Sequence, residues 1–113
     1  MDCIFCKIIE GEIPSAKVYE DEKIIAFHDI NPVAPVHLLV VPKVHTQSLN
    51  YISDNDYVDN IGYALRKIPQ IAAMQNIDES GYRVIINVGE DAHQTVGHLH
   101  FHIIGGAELG GMG

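Results

Sequence analysis

The stretch His98-Leu99-His100-Phe101-His102-Ile103-Ile104 carries three of the chain's seven histidines at every second position, with apolar residues between them. Successive side chains of a β-strand point to opposite faces, so this alternation predicts a strand with three imidazoles on one face. Neighbouring imidazoles would lie roughly 7 Å apart. Imidazole serves near pH 7 as a nucleophile, an acid or base, or a metal ligand. The spacing alone leaves a metal clamp and a nucleophilic site equally open.

Other apolar segments predict four further strands. Two short ones, at about residues 17–19 and 23–28, flank a polar turn and indicate a hairpin. Residues 37–42 form a compact apolar run that ends at Pro42, as expected of a buried central strand. Residues 82–87 predict another strand, so that the histidine strand would complete a sheet of about five.

One principal helix is predicted after Ser53, which precedes an acidic first turn. Apolar residues then follow at helical spacing: Val58, Ile61, Leu65 and Ile68. Pro69 is expected to kink this helix or divide it. A shorter helix is predicted from Asp2 to about Glu10, ended by Gly11. Strands and helices do not alternate, so the chain predicts one α+β domain over residues 1–113, a mainly antiparallel sheet with one principal helix.

Composition excludes several classes of function. The chain has 113 residues, 47% of them hydrophobic, and a formal net charge of −8. That charge argues against nucleic acid or an anionic membrane surface as a partner, because both require a positive footprint. No apolar run reaches the length of a membrane span, and the first residues do not resemble a signal peptide, so the cytoplasm is the expected location. A small phosphorylated ligand stays possible, since backbone amides and imidazoles can hold one phosphate.

Cys3 and Cys6 are the chain's only cysteines and have the spacing of two ligands of a tetrahedral zinc site. Such a site needs two more ligands, and His45 and His98 are the candidates. A redox pair and two unligated thiols are the alternatives, although no β-α-β context supports the redox interpretation. A structural disulfide is not expected in a cytosolic chain.

Polar residues near the histidine strand are candidate ligand contacts. Asn87, Gln94 and Thr95 offer amide and hydroxyl donors that suit phosphate oxygens, although ordinary loop hydrogen bonds would use the same groups. His93 lies in this loop with its role open. Asp29 ends the second predicted strand, where a carboxylate either binds a sugar diol or forms a turn.

The alternating histidines resemble the signature of the histidine triad (HIT) proteins, and the chain is similar to their Hint branch over nearly its whole length. The similar segments are residues 4–9, 13–14, 26–32, 34–45 and 94–98. The resemblance implies a HIT-like fold whose sheet joins that of a second copy in a symmetric homodimer. It also implies a nucleotide-binding hydrolase that cleaves nucleoside 5′-phosphoramidates, of the AMP-amine type with purines preferred, through a covalent nucleotidyl-histidine.

The same resemblance implies a role for each candidate residue. His100 would be the nucleophile, His37 would orient its surroundings, and Asp29 would bind the ribose. The phosphoryl oxygens would be held by His102, Asn87, Gln94 and Thr95. The base pocket would be lined by Ile8, Phe27, His28 and Ile30. Catalysis would need no metal. A structural zinc would be held by Cys3, Cys6, His45 and His98, so that His98 would bind metal while His100 and His102 take part in the reaction.

Two other functions stay open at this stage. One is a nucleotide-binding scaffold or regulatory protein with incidental turnover, and the other is a dinucleoside polyphosphate hydrolase. Two features depart from the Hint pattern: His93 stands where relatives often have glycine, and residues 105–113 lack the Trp-Pro-Pro-Gly ending common among them. Both departures bear on the choice of leaving group.

Overall fold

Five antiparallel strands form a single sheet in the computed structural model, which describes residues 3–111. The strands are β1 (Lys17–Glu20), β2 (Ile24–His28), β3 (Val36–Pro42), β4 (Tyr82–Ile85) and β5 (Phe101–Gly105). Their order across the sheet is β1-β2-β3-β5-β4. The predicted α+β class, the β1–β2 hairpin and the central position of residues 37–42 are therefore confirmed.

The histidine strand is shorter than predicted. β5 begins only at Phe101, and the two preceding histidines lie in the segment that leads into it. In the β3–β5 register Val40 faces Phe101, so Leu99 would face Pro42 two residues further along. Proline has no N–H to donate, which ends a ladder of strand hydrogen bonds. Leu99 donates its N–H instead to the carbonyl of Thr46, at 2.7 Å.

The principal helix runs through residues 54–74 in three parts: α2 (Asp54–Asp56), a π-helical turn (Tyr57–Ile61) and α3 (Gly62–Met74). Ser53 caps it as predicted, its hydroxyl accepting a hydrogen bond from the N–H of Asp56 at 3.1 Å. The predicted division at Pro69 is wrong, because α3 continues through that residue. Ile68 and Ile71 beside it are buried in the core, and their packing offsets the ~3 kcal/mol cost of an internal proline.

A short helix, α1 (Ile4–Ile9), covers the face of the sheet opposite to the one that packs against α3. Its N-cap is Cys3, whose sulfur accepts a hydrogen bond from the N–H of Cys6 at 3.3 Å. The predicted cap, Asp2, lies outside the described residues. The chain leaves the helix through Gly11 at a φ of 81°, a left-handed conformation that costs glycine little.

The two faces of the sheet carry separate cores. Leu99, Phe101 and Ile103 pack with α3 on one face, as their alternation predicts. Phe5 of α1 packs on the opposite face with side chains of the central strands, namely Ile25, Phe27, Leu39 and Val41. The three histidines share the α1 face, so the fold places the chemical residues between the sheet and this short helix. Within residues 3–111, no helix has the length and apolar character needed to cross a membrane.

Candidate active site and metal site

The histidines of the triad are withdrawn from solvent. His98 is fully buried, His100 is buried, and His102 is half-buried. The ring of Phe5 stands edge-on to His100, with centroids 5.0 Å apart. Burial lowers the pKa of all three imidazoles, and for His102 the nearby imidazoles of His100 and His37 help to lower it to about 4. These shifts favour the neutral form of each imidazole near pH 7.

Hydrogen bonds determine which nitrogen of His100 is free. Its Nδ1 lies 2.7 Å from the carbonyl oxygen of His98. A carbonyl only accepts, so Nδ1 carries the hydrogen and Nε2 carries the lone pair. The imidazole therefore presents an unprotonated nitrogen, which is the form that attacks an electrophile.

His102 has the opposite tautomer. The N–H of Val33 donates to Nδ1 of His37 at 3.1 Å, which leaves the hydrogen of that ring on Nε2. This Nε2–H donates to Nδ1 of His102 at 2.9 Å, so the hydrogen of His102 is on Nε2. His37, expected to orient the surroundings of the nucleophile, thus makes its direct contact with His102. One histidine of the site offers a lone pair and the other an N–H donor.

A cavity of about 440 Å³ opens beside these two histidines. Eight of the expected site residues line it: Ile8, Phe27, His28, Asp29, Ile30, Thr95, His100 and His102. Further lining residues were not predicted, including Ile4, Ile13, Pro14, Ser15 and Ala16. The sequence feature that could have identified part of this lining is the Ile13-Pro14 pair, which lies between the first helix and the first strand. The lining combines apolar side chains with the polar groups of Asp29, Thr95 and the two histidines, a composition that suits a nucleotide.

Asp29 faces this cavity and also forms a turn. Its Oδ1 accepts a hydrogen bond from the N–H of Asn31 at 2.8 Å, so the turn that the sequence predicted is present. Its Oδ2 lies 3.4 Å from Nε2 of His37. The carboxylate therefore stands at the border between the cavity and the histidine pair.

The loop before the triad is held by its own amide side chains. Gln94 donates both of its amide hydrogens, to the carbonyls of Gln47 (2.7 Å) and Val96 (3.0 Å). Asn87 donates to the carbonyl of Ala92 at 2.9 Å. Among the three donors expected for phosphate, Thr95 is the one that lines the cavity, while Gln94 has no amide hydrogen left to offer.

His93 occupies the left-handed region, with a φ of 61° and a ψ of 38°. Its side chain is exposed, and it is not part of the cavity lining. The conformation explains why glycine suits this position, because a side chain there costs about 1–2 kcal/mol.

Four potential metal ligands meet behind the triad: Cys3, Cys6, His45 and His98. Their ligand atoms all lie within 4.8 Å of one another. The sulfur of Cys3 is 3.3 Å from Nδ1 of His98, the sulfur of Cys6 is 3.2 Å from Nδ1 of His45, and the two Nδ1 atoms are 3.1 Å apart. Ligands about 2.0–2.3 Å from a tetrahedral zinc are roughly 3.3–3.8 Å from one another. The donor set and its spacing therefore fit zinc.

The tautomer of His98 also fits a metal ligand. Its Nε2 donates to the carbonyl of Pro42 at 2.7 Å, so Nδ1 directs a lone pair at the two cysteines. Burial, followed by the neighbouring Cys3, raises the pKa of the Cys6 thiol to about 11. A bound cation reverses this effect, because it stabilises the thiolate.

Comparison with known proteins matches the same architecture. Residues 10–109 match the HIT domain family. A histidine triad protein from Clostridium difficile is 51% identical with a TM-score of 0.92, the match covering 100% of this chain and 97% of that one. The adenosine 5′-monophosphoramidase HNT1 of Candida albicans is 46% identical over 105 residues, which are 90% of this chain and 68% of that protein. A 14 kDa zinc-binding protein of Zea mays is 45% identical over 107 residues, 94% of this chain and 83% of that protein.

Proposed function

Because this chain belongs to the histidine triad (HIT) domain family, we propose that it is a hydrolase of nucleoside 5′-phosphoramidates, with AMP-amines and other purine nucleotides as substrates. The observation that carries this proposal is His100, a buried imidazole that lines a cavity of nucleotide size and carries its lone pair on Nε2. The similarity to a Candida albicans protein named for this activity supports the substrate class.

The reaction proceeds in two displacements at phosphorus. Nε2 of His100 attacks the α-phosphorus, the P–N bond breaks, and the amine departs with its electron pair and takes up a proton. The carbonyl of His98 stabilises the positive imidazole ring of the nucleotidyl-His100 intermediate through the Nδ1–H bond. Water then attacks phosphorus, His100 leaves, and the nucleoside monophosphate is released. Covalent attack divides one difficult displacement into two easier ones.

The remaining cavity residues bind the substrate. The Nε2–H of His102 and the hydroxyl of Thr95 donate to phosphoryl oxygens, where negative charge accumulates in the transition state. The carboxylate of Asp29 accepts hydrogen bonds from the ribose hydroxyls. Ile8 and Phe27 provide apolar surface for the base, and His28 and Ile30, which also line the cavity, complete the base pocket. Asn87 and Gln94 shape the phosphate loop through their backbone contacts.

We further propose a structural zinc ion held by Cys3, Cys6, His45 and His98. The tetrahedral spacing and the tautomer of His98 support it, as does the similarity to a plant protein named for zinc binding. When bound, the metal ties α1 to the segment that enters β5. Catalysis needs no metal, because the reacting groups are imidazoles and belong to a different part of the triad.

A homodimer in the cytoplasm completes the proposal. β4 is the terminal strand of the sheet, and its outer edge pairs with no strand among residues 3–111. Val84 on this strand is 39% exposed, and Val33 nearby is 72% exposed. A second copy that pairs at this edge would continue the sheet and cover these side chains.

The test is turnover by the purified chain. Adenosine 5′-phosphoramidate should yield AMP and ammonia, and mass spectrometry of an acid-free quench should detect an adenylyl group on His100. Guanosine and cytidine phosphoramidates measure the purine preference, and a diadenosine polyphosphate tests the alternative hydrolase branch. AMP release no faster than that of the His100→Ala variant would overturn the proposal, and nucleotide binding without turnover would favour a scaffold.

A further inference from the structure

Asp29 contacts more than the ribose site. Its Oδ2 lies 3.4 Å from Nε2 of His37, and this nitrogen lies 2.9 Å from Nδ1 of His102. The three side chains are withdrawn from bulk water, and their polar atoms lie within 4.8 Å of one another. Ribose binding, which the proposed function assigns to Asp29, does not require either histidine contact.

A divalent metal ion is one occupant that such a cluster could take. The N–H of Val33 argues against it, because it donates to Nδ1 of His37 and leaves the hydrogen on Nε2. That Nε2 is the atom that faces the other two groups, and a metal ligand needs a lone pair there. The cluster is therefore better suited to carry a proton than a cation.

The proposed reaction requires a proton donor near His102. The departing amine must gain one, and the neutral His102 has only its Nε2–H to give. Loss of that hydrogen would leave an imidazolate, unless Nδ1 already carried a second hydrogen. Nδ1 cannot carry one while it accepts the Nε2–H of His37. The neutral histidine pair is thus a poor acid.

We propose that Asp29 is the positioning residue that lets this histidine pair carry one extra proton, an inference that rests on the proposed function. The ring of His37 turns so that its Nε2–H leaves His102 for Oδ2 of Asp29, and Nδ1 of His102 takes up a proton from a hydronium ion, which becomes water. The resulting imidazolium gives its Nε2–H to the leaving nitrogen as the P–N bond breaks. In the second displacement the attacking water gives its oxygen to phosphorus and a proton to Nε2 of His102, which restores the imidazolium.

The surroundings of His102 agree with this role. The titratable groups that face it are Asp29, His37 and His100. Burial and the two imidazoles lower the pKa of His102, while the negative charge of Asp29 acts in the opposite direction. Oδ1 of Asp29 is held by the N–H of Asn31, which keeps Oδ2 directed at the histidine pair. A ribose on the same carboxylate would then link substrate binding to the loading of the proton.

The kinetic test separates the proton role from ribose binding. The single-turnover rate of the first step is measured for wild type and Asp29→Asn with 2′,3′-dideoxyadenosine 5′-phosphoramidate, which has no ribose diol, and with the corresponding phosphorofluoridate. Fluoride leaves without a proton. We expect Asp29→Asn to slow the phosphoramidate by at least ~10-fold, as for loss of acid catalysis, and the phosphorofluoridate by less than about 3-fold. Equal losses for both leaving groups, or no loss for either, would overturn the inference.

Two further measurements address the histidine pair directly. If Asp29 acts through His37, Asp29→Asn and His37→Gln should be non-additive, and the double variant should be within about 3-fold of the slower single one. Nitrogen-15 NMR of labelled imidazoles should show His102 of Asp29→Asn gaining its proton at lower pH than wild type, while Asp29→Glu stays closer to wild type. An unchanged titration contradicts the inference even if the chain cleaves no phosphoramidate, so the two failures can be told apart.

Discussion

The backbone carbonyl of His98 accepts the Nδ1–H of His100 at 2.7 Å, while the imidazole of His98 turns its own Nδ1 toward Cys3 at 3.3 Å. One residue therefore borders both proposed sites, through its side chain at the candidate metal ligands and through its main chain at the proposed nucleophile. With this arrangement three neighbouring histidines could serve separate chemistry. It also indicates which variants should separate the two sites.

Replacement of the nucleophile should abolish turnover and spare binding. His100→Ala should reduce kcat/KM for adenosine 5′-phosphoramidate by at least ~100-fold, because the covalent route is lost. Its affinity for AMP, measured by calorimetry, should change by only a few-fold. His93→Ala, an exposed histidine outside the cavity lining, is the matched control and should retain turnover. Unchanged turnover in His100→Ala would contradict the assignment.

The metal site should be separable from catalysis. Freshly purified protein should contain about one zinc per chain by elemental analysis, and Cys3→Ser/Cys6→Ser should contain none. The double variant should melt at a lower temperature, because a metal that binds only the folded state stabilises it. Its turnover should persist at a reduced level, since the carbonyl of His98 still holds His100. A zinc content well below one in wild type would count against the site.

Helix α1 should couple the two sites in solution. Its N-terminal end carries two of the candidate metal ligands, and its Phe5 and Ile8 line the cavity proposed for the nucleotide. Because coupling between binding sites is reciprocal, AMP should lower the dissociation constant of zinc by about 5-fold or more. The measurement is equilibrium competition for zinc with a chromogenic chelator, with and without nucleotide. A zinc affinity that is independent of AMP would show that α1 does not transmit binding between the sites.

Asp21 should make an acid-sensitive contribution to stability. Burial alone would raise the pKa of its carboxyl, but hydrogen bonds from the hydroxyls of Tyr63 (2.5 Å) and Tyr19 (2.8 Å) and from two backbone N–H groups lower it to about 2. A depressed pKa in the folded state stabilises above the usual value of 3.8, and the contribution disappears as the pH falls through about 2.

Asp21→Asn should therefore lower the free energy of unfolding at pH 7 by about 1–3 kcal/mol, as expected for hydrogen bonds to a charged group. The difference between wild type and variant should shrink on acidification below 3.8. Urea unfolding at a series of pH values measures both effects, and Asp78→Asn, at an exposed carboxylate, serves as the control. A difference that stays constant with pH would exclude the ionic contribution.

The β4 edge should mediate self-association. Sedimentation equilibrium should give a mass of twice the 12.5 kDa chain. Val84→Asp should shift the equilibrium toward the monomer, because it places a charge in the interface. Val58→Asp, on the exposed side of the principal helix, should not. A wild-type mass equal to one chain would exclude the proposed dimer.

Some features followed from local sequence because they depend on neighbouring residues. The alternation of residues 98–104 placed the histidines on one face, and the strand order around β3 agreed with its continuous apolar run. Local reasoning was wrong about a division of the helix at Pro69, because burial of Ile68 and Ile71 outweighs the missing hydrogen bond. It also could not predict that Gln94 donates both amide hydrogens to backbone carbonyls, one to Val96 in its own loop and the other to Gln47, which is distant in the chain.

The sequence by itself determined that the three histidines share one face, because side-chain direction in a strand depends only on local periodicity. It also determined the spacing of Cys3 and Cys6. Only the tertiary structure decided the tautomers. The Nδ1–H of His100 depends on a carbonyl two residues away, but the Nε2–H of His98 depends on the carbonyl of Pro42, and the tautomer of His102 depends on His37, 65 residues earlier. Hydrogen bonds between residues distant in the chain exist only after the sheet has formed, and they give the three histidines different tautomers and therefore different proposed roles.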